Sequence, residues 1–229
     1  MLGKEDTAVR GNFLSALAMF IAVSVTFINV INPILVLVGI GIGAIIGSLI
    51  ALKVKMTSIP EMVALFNGFG GLATFFIAWS EFNSIPSNNF QYLLVMITTY
   101  IGGVTFSGSV IAYGKLSETL KVEKSSIITK LFTTFFYISI IYLLYSIFIT
   151  KIFSPGFDFF TILLILTLLG GVGFVIPIGG GDMPVVISLL NSFSGIAAAF
   201  AGLLLLNNVL IVAGSLVGAS GLILSLIHI

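Results

Sequence analysis

The chain has 229 residues, of which 59% are hydrophobic and only 7% are charged, and its formal net charge is +1. Soluble domains carry roughly 25% charged residues, so the composition excludes a water-soluble globular domain and argues against a nucleic-acid partner or an acidic substrate. The chain has no cysteine and a single histidine, His228, which excludes disulfides and thiol catalysis and argues against a metal cluster or a histidine-based triad.

Eight apolar segments follow one another along the chain, separated by polar, proline-containing or glycine-rich breaks. A helix needs about 20 apolar residues to cross roughly 30 Å of hydrocarbon. The longest polar break is 115–130, and Asn207 and Asn208 form the tightest turn. We therefore predict an all-α, polytopic transmembrane bundle of about eight helices near residues 12–31, 33–52, 58–79, 90–114, 127–150, 158–177, 183–206 and 208–228.

The basic residues predict the orientation of this bundle. With eight helices both chain ends lie on one side of the membrane, together with the second, fourth and sixth loops. The other side holds only Lys151, and cytoplasmic loops carry an excess of basic residues, so both termini are predicted to be cytoplasmic. The lysines of the 115–130 loop are expected to fix this topology or to meet lipid headgroups. The cytoplasmic set is Lys4, Arg10, Lys53, Lys55, Lys115, Lys121, Lys124 and Lys130.

Two segments of the chain resemble each other. The sequence PEMVALFNGFGG at 60–71 and the sequence PVVISLLNSFSG at 184–195 share Pro, Leu, Asn, Phe and Gly at the same offsets from the proline. These segments open the third and seventh predicted helices, which point the same way because four crossings separate them. A parallel duplication of four helices is the simplest account, with halves at about 12–114 and 127–228. The alternative is chance similarity between two glycine-rich membrane helices.

The duplicated segments place two asparagines, Asn67 and Asn191, seven residues after their prolines. Each therefore lies about 10 Å inside its helix start, where hydrocarbon offers an amide no partner. If the pseudo-symmetry brings them together, two facing amides could hold a short file of water along a proton path. The alternative is that each amide joins neighbouring helices, an interaction worth about 0.6 to 2 kcal/mol. The residues alone leave both explanations open.

Three polar residues at the starts of the same helices are candidates for the cytoplasmic mouth of such a path. Asp182 follows three glycines and directly precedes the seventh helix, so it is either an ordinary N-cap or a carboxylate that passes protons or senses a bound domain. Ser58 occupies the equivalent place before Pro60. Glu61 in the first turn of the third helix is expected to be a solvated charge.

Small and hydroxylated residues complete the set of candidates. The hydroxyls of the fourth helix are expected to bond to their own backbone, with lining of the path as the alternative. The glycines at four-residue spacing predict close helix packing. The G-x-G-x-x-A patterns at 39–44 and 68–73 lie inside apolar helices without a preceding strand, so they are rejected as nucleotide sites. The fourth-helix hydroxyls are those of Thr105, Ser107 and Ser109, Ser188 in the seventh helix is a further candidate for lining the path, and the packing glycines are Gly39, Gly43, Gly47, Gly214 and Gly218.

Several motifs resemble a known family. The sequences MTSIPEMVA at 56–64, GVTFSGSVIAYGKL at 103–116, IGGGDMPVV at 178–186 and NSFSG at 191–195 are similar to the beta subunit of proton-translocating NAD(P) transhydrogenase, as is KEDTAVRGN at 4–12. The resemblance spans nearly the whole chain. It implies that proton entry across the membrane is coupled to hydride transfer from NADH to NADP⁺ in soluble domains.

The resemblance also implies roles for individual residues and partners. Asn191 would be a path residue, and Asp182 would contact the NADP-binding domain. Asn67 stands where many members carry a path histidine, so this position cannot itself hold a proton, and Ser58 stands where many carry an acid. The implied partners are alpha subunits with an NAD-binding domain and membrane helices, the NADP-binding domain, lipid and a second copy of the complex in a cytoplasmic or equivalent coupling membrane.

Two departures concern the length of the chain. The family's beta subunit usually begins with one more helix and continues into an NADP-binding dinucleotide fold, so residues 1–229 are expected to form the transmembrane domain alone. No catalytic, metal or cofactor residue is expected in it, and NADP(H) and NAD(H) would be bound elsewhere in the assembled enzyme. Two other functions remain open at this point, a transporter of a small polar solute built from parallel repeats and a non-conducting assembly subunit.

Overall fold

A computed structural model describes residues 5–28, 32–84, 88–121, 127–149 and 157–227. Lys4, Lys124, Lys151 and His228 lie outside these residues. The described residues contain helices and no strand, and eight of the helices are long and apolar enough to cross a membrane, which confirms the predicted class and helix number. The helices are α1 (Glu5–Ile28), α2 (Pro33–Lys53), α3 (Ile59–Asn83), α4 (Asn89–Leu116), α5 (Ile127–Ile149), α6 (Phe157–Val175), α7 (Met183–Leu204) and α8 (Asn208–Ile227).

Helix ends differ from the predicted segments where a helix runs past its apolar stretch. The first helix begins at Glu5 rather than near residue 12, and α3 continues beyond Trp79 to Asn83. Hydropathy locates the part of a helix that can lie in hydrocarbon, whereas backbone hydrogen bonds continue into polar turns at either end. The turn between α7 and α8 is as tight as predicted, and the Asn207 side chain there accepts a hydrogen bond from the backbone of Leu210 at 3.1 Å.

Helices α3 and α7 begin in the same way. A single turn of 3₁₀ helix precedes each of them, Met56–Ser58 before α3 and Gly180–Asp182 before α7. Each helix then has proline in its first turn, where the missing backbone N–H removes no intrahelical hydrogen bond. The resemblance between segments 60–71 and 184–195 therefore extends to local structure just ahead of them.

The chain divides into two compact units, residues 1–55 and residues 56–229. In the first unit, α2 has no buried residue, and side chains from the end of α1 and the start of α2 line an open cavity of about 240 Å³. Within this unit no described atom lies within 4 Å of a Cβ added at Gly39, Gly43 or Gly47. These glycines therefore do not form the close helix contact that their spacing predicts inside their own unit.

In the second unit, α4 lies at the centre. It packs against α3, α5, α6 and α7, while α8 packs against α7. Two thirds of the most apolar stretch of α4 is buried, more than in any other described helix. A central helix that is apolar or small on all sides is what a membrane bundle requires, because its whole circumference meets other helices.

Two buried apolar clusters lie at opposite ends of this unit. One contains Phe82, Tyr92 and Phe160, where the rings of Phe82 and Phe160 stack at 4.1 Å. The other contains Ala64, Ala112, Met183 and Leu190, near the N-terminal ends of α3 and α7. Between the two clusters α3 and α4 carry the polar residues Asn67, Thr105, Ser107 and Ser109.

Glycines bring the helices of each pair close together. A Cβ at Gly71 of α3 would lie 2.9 Å from the Gly102 carbonyl of α4, and a Cβ at Gly195 of α7 would lie 2.8 Å from the Gly214 carbonyl of α8. Gly71 and Gly195 stand at the same offset, eleven residues after their prolines. The predicted packing at Gly214 and Gly218 is therefore confirmed, and each half of the sequence match has its crossing glycine in the same place.

Candidate functional site

The side chain of Asn67 joins three helices. Its Nδ2 donates to Ser109 Oγ of α4 at 3.0 Å, and its Oδ1 accepts a hydrogen bond from Ser194 Oγ of α7 at 2.6 Å. Asn67 is the ninth residue of α3, about 12 Å from the helix start, so these bonds lie well inside the apolar part of the helix. The interhelical contact that the sequence left open as one explanation for Asn67 is thus present.

Asn191 is exposed on the surface of the 56–229 unit, at the same depth in α7 as Asn67 in α3. Among the described residues its side chain makes no hydrogen bond. It nevertheless shares a surface groove of about 410 Å³ with Asn67, so the two predicted path residues meet on one seam between α3 and α7. The groove is lined by Val63, Phe66, Asn67, Gly70, Asn191 and Ser194.

A second recess continues this seam. It has a volume of about 290 Å³, lies between α3, α7 and α8, and shares Gly70 and Ser194 with the first groove. On α3 the two recesses extend from Val63 to Thr74, which corresponds to about 16 Å along the helix axis. We call the two recesses together the α3–α7 seam.

Ser194 was missed by the sequence analysis. It lies three residues after Asn191, so the two side chains share a face of α7 and both line the groove. Its hydroxyl donates to the Asn67 side chain rather than to its own helix. The spacing could have indicated that Ser194 faces the same way as Asn191, but the partner on α3 could not be found from local sequence.

The four candidate hydroxyls separate into three kinds. Thr105 and Ser107 donate to the carbonyls of Ile101 and Gly103 in their own helix, at 2.6 and 3.0 Å, as expected. Ser109 is fully buried and accepts from Asn67, so it belongs to the polar contact. Ser188 donates to the Gly221 carbonyl of α8 at 3.1 Å, which makes it a contact between α7 and α8.

The three candidate mouth residues lie at the starts of α3 and α7. Ser58 and Asp182 occupy the N-cap positions, yet in the described part of the chain neither side chain makes a capping hydrogen bond. Glu61 lies in the first turn of α3, as predicted, and is half-buried. Asp182 is exposed, so its carboxylate can be reached from outside the 56–229 unit.

Lys115, which was predicted to fix topology or to meet lipid headgroups, is half-buried and makes a contact within the 56–229 unit that the sequence analysis did not predict. Its ammonium group donates to the carbonyls of Val175, Ile176 and Ile178, at 3.3, 2.5 and 2.6 Å. These carbonyls lie at the end of α6 and in the turn that leads to Asp182. A lysine in the last turn of a helix gives no sequence signal of this contact, because its acceptors are backbone atoms about 60 residues away.

Comparison with known proteins decides the family. The sequence model of the NAD(P) transhydrogenase beta subunit matches residues 1–229. The chain belongs to this family. NAD(P) transhydrogenase subunit beta of Rhodospirillum rubrum, and the protein of that name from one designated strain of the species, are each 37% identical to the chain over 237 aligned residues.

The alignment with these relatives covers 99% of the chain and 50% of each relative, so the chain spans about half the length of the curated relatives it matches. The resemblance that the motifs indicated is confirmed at the level of the family. Together with the eight apolar helices, membership of the transhydrogenase beta-subunit family makes the chain an integral membrane protein.

Proposed function

We propose that the chain is the proton-translocating membrane domain of an NAD(P) transhydrogenase. In this proposal protons cross along the α3–α7 seam while hydride passes from NADH to NADP⁺ in soluble domains on the cytoplasmic side. The observation that carries the proposal is that Asn67 and Asn191, which lie 124 positions apart, line one groove inside a chain of this family.

The chemistry of the seam suits water-mediated transfer. An amide cannot take up and release a proton near neutral pH, but it donates and accepts hydrogen bonds and can therefore orient water molecules. Asn67 is already held by Ser109 and Ser194, whereas Asn191 has its amide free of described partners at a depth where hydrocarbon cannot solvate it. In this proposal Asn191 binds the chain of water molecules, and Asn67 holds α3, α4 and α7 together beside it.

The proposal requires partners. The assembled enzyme would contain an alpha subunit with an NAD-binding domain and membrane helices, and an NADP-binding domain that meets the exposed Asp182. NADP(H) and NAD(H) would bind in those domains rather than in residues 1–229, and any ionisable group on the path would come from a companion subunit. A dimer of the complex in the cytoplasmic or an equivalent coupling membrane, with both chain ends on the cytoplasmic side, completes the proposal.

The family match supports this proposal over a transporter of small solutes. The contact of Asn67 with Ser109 and Ser194 would also suit a non-conducting assembly subunit, but Asn191 lies outside that contact. A subunit that used its asparagines only to join its own helices would be expected to place both amides in such contacts, and Asn191 is exposed in a groove instead. The behaviour of Asn191 therefore separates the two functions.

The test is Asn191→Leu in the assembled enzyme, reconstituted into vesicles. Leucine keeps a similar volume and removes both hydrogen-bonding groups, so proton uptake driven by hydride transfer should fall to the level of vesicles without enzyme. The matched control is Asn83→Leu, which makes the same replacement at the exposed end of α3. Proton uptake by Asn191→Leu equal to that of the control would reject the role of Asn191.

A further inference from the structure

Lys115 contacts backbone carbonyls at and just beyond the C-terminal end of α6. The last carbonyls of an α-helix have no intrahelical partner, and they carry the negative end of the helix dipole. The ammonium group of Lys115 meets three of the carbonyls at and just beyond the end of α6, from Val175, Ile176 and Ile178. Charge-assisted bonds of this kind are roughly twice as strong as neutral ones.

The end of α4 that carries Lys115 is held by hydrogen bonds to the residues that follow it. The Gly114 carbonyl accepts from the backbone N–H of Leu120 at 2.8 Å and from the hydroxyl of Thr119 at 3.0 Å. The chain turns back here through Glu118, whose φ of 56° lies in the left-handed region. Lys115 therefore extends from a rigid helix end rather than from a loose loop.

The chain beyond the contact is a short 3₁₀ turn with open space around its glycines. Gly179, Gly180 and Gly181 follow Ile178 directly, and a Cβ added at Gly180 or Gly181 would meet nothing within 4 Å. Asp182 comes next and is exposed. The carbonyl of Ile178 is thus the last point at which a side chain from α4 holds this turn before Asp182 and the start of α7.

We propose that Lys115 is a positioning residue that holds the α6–α7 turn on α4 and so sets where Asp182 stands. The same α4 carries Ser109, which binds Asn67 on the seam. A partner domain that displaced Asp182 would therefore act on the helix that also supports the proposed path. The inference rests on the proposed function in one respect, the contact of Asp182 with the NADP-binding domain.

The cysteine-free sequence allows a direct test. A spin label attached at Gly181→Cys, in the assembled enzyme with other cysteines removed, reports the mobility of the turn. Lys115→Met keeps the apolar stem and removes all three donors, so the rotational correlation time of the label should fall about twofold or more. Lys121→Met, which changes an exposed lysine six residues further along and beyond the end of α4, is the matched control and should leave the label unchanged.

The rate of NADP(H) release is a second measurement, which would not change if Lys115 only stabilised the fold. NADP(H) release should change in Lys115→Met in the same direction as in Asp182→Asn, and Lys115→Arg, which retains charged donors, should restore both the label mobility and the release rate. Asp158→Asn, an acid in the first turn of α6 at that helix's other end, is the control for Asp182→Asn.

The outcomes separate the two proposals. If the label in Lys115→Met behaves as in the parent enzyme, the positioning role is overturned, whatever Asp182→Asn does. If the label is mobilised but neither Lys115→Met nor Asp182→Asn changes nucleotide release, Lys115 holds the turn and the proposed domain contact of Asp182 is wrong. Should Lys115→Met fail to assemble, Lys115→Gln takes its place, and failure of both variants would assign Lys115 to folding alone and reject the proposal.

Discussion

Asn67 and Asn191 stand at the same offset in two matching segments, yet they differ in burial and in hydrogen bonding. Asn67 is half-buried and bonded to both neighbouring helices, whereas Asn191 is exposed in the groove beside it. Helix α3 packs most extensively on the central helix α4, which brings Ser109 to Asn67. Helix α7 also contacts α4 but packs most extensively on α8, and no described side chain there bonds to Asn191.

The difference shows that two segments of similar sequence can place the same residue in two different surroundings. The sequence match fixes the depth of each amide and the glycine at which the next helix crosses. It does not fix which amide finds a partner, because Ser109 and Ser194 lie 42 and 127 residues from Asn67. One segment therefore holds its amide between helices, and the other presents on the same seam an amide with no hydrogen-bond partner among the described residues.

The largest effect is expected at the two crossing glycines. A methyl group at Gly195 would meet backbone atoms of Gly214 and Gly218, and one at Gly71 would meet backbone atoms of Gly102 and Phe106. Backbone cannot move aside cheaply, so Gly195→Ala and Gly71→Ala should each destabilise the protein by about 3 kcal/mol.

Gly70→Ala is the matched control, because a Cβ there meets nothing within 4 Å. It should be neutral or slightly stabilising in thermal unfolding, since alanine favours helix by up to about 1 kcal/mol. If Gly71→Ala kept its stability and Gly195→Ala lost it, the two helix crossings would not be equivalent.

An intermediate effect is expected from the asparagines themselves. Asn67→Leu removes two interhelical hydrogen bonds and should lower the free energy of unfolding by about 1–2 kcal/mol, because Ser109 and Ser194 can partly compensate by bonding to their own helices. Asn191→Leu breaks no described hydrogen bond and should leave stability unchanged while stopping proton uptake. Equal destabilisation by the two variants in thermal unfolding would contradict the difference drawn between them.

The smallest effect concerns two buried hydroxyls of α4. Thr98 and Thr99 are fully buried, and their hydroxyl oxygens have no hydrogen-bond partner among the described residues. Replacing either by valine keeps the shape and removes an unsatisfied group, so thermal stability should rise by about 1 kcal/mol or stay the same. A loss of proton uptake in Thr98→Val would instead extend the polar path beyond Asn67 and Ser109.

Much of the fold could be predicted from the sequence because the bilayer imposes simple requirements. Apolar length gave the eight helices, and proline and glycine spacing located the matching starts and crossings of α3 and α7. The packing prediction failed within the first unit at Gly39, because small residues permit close contact without specifying a partner.

The site could be predicted less completely. Asn67 and Asn191 were found by their depth and by the repeat, and both line the seam. Ser194 and the contact of Lys115 with the end of α6 were missed, since each is defined by a part of the chain that is distant in sequence. Ser188 was grouped with the path candidates, and its hydroxyl bonds to α8. This contact could not be predicted, because a serine in a helical sequence pattern does not show which neighbouring helix it faces.

The central claim is that the groove at Asn191 contains water in the assembled enzyme. The most direct measurement is the reaction of Asn191→Cys with a water-soluble maleimide in vesicles, using a cysteine-free background and Leu216→Cys on the exposed face of α8 as the lipid-facing control. Maleimide reacts with the thiolate, which forms where water is present and not in hydrocarbon. The account predicts rapid labelling at position 191 and almost none at position 216, whereas equally slow labelling at both positions would contradict it.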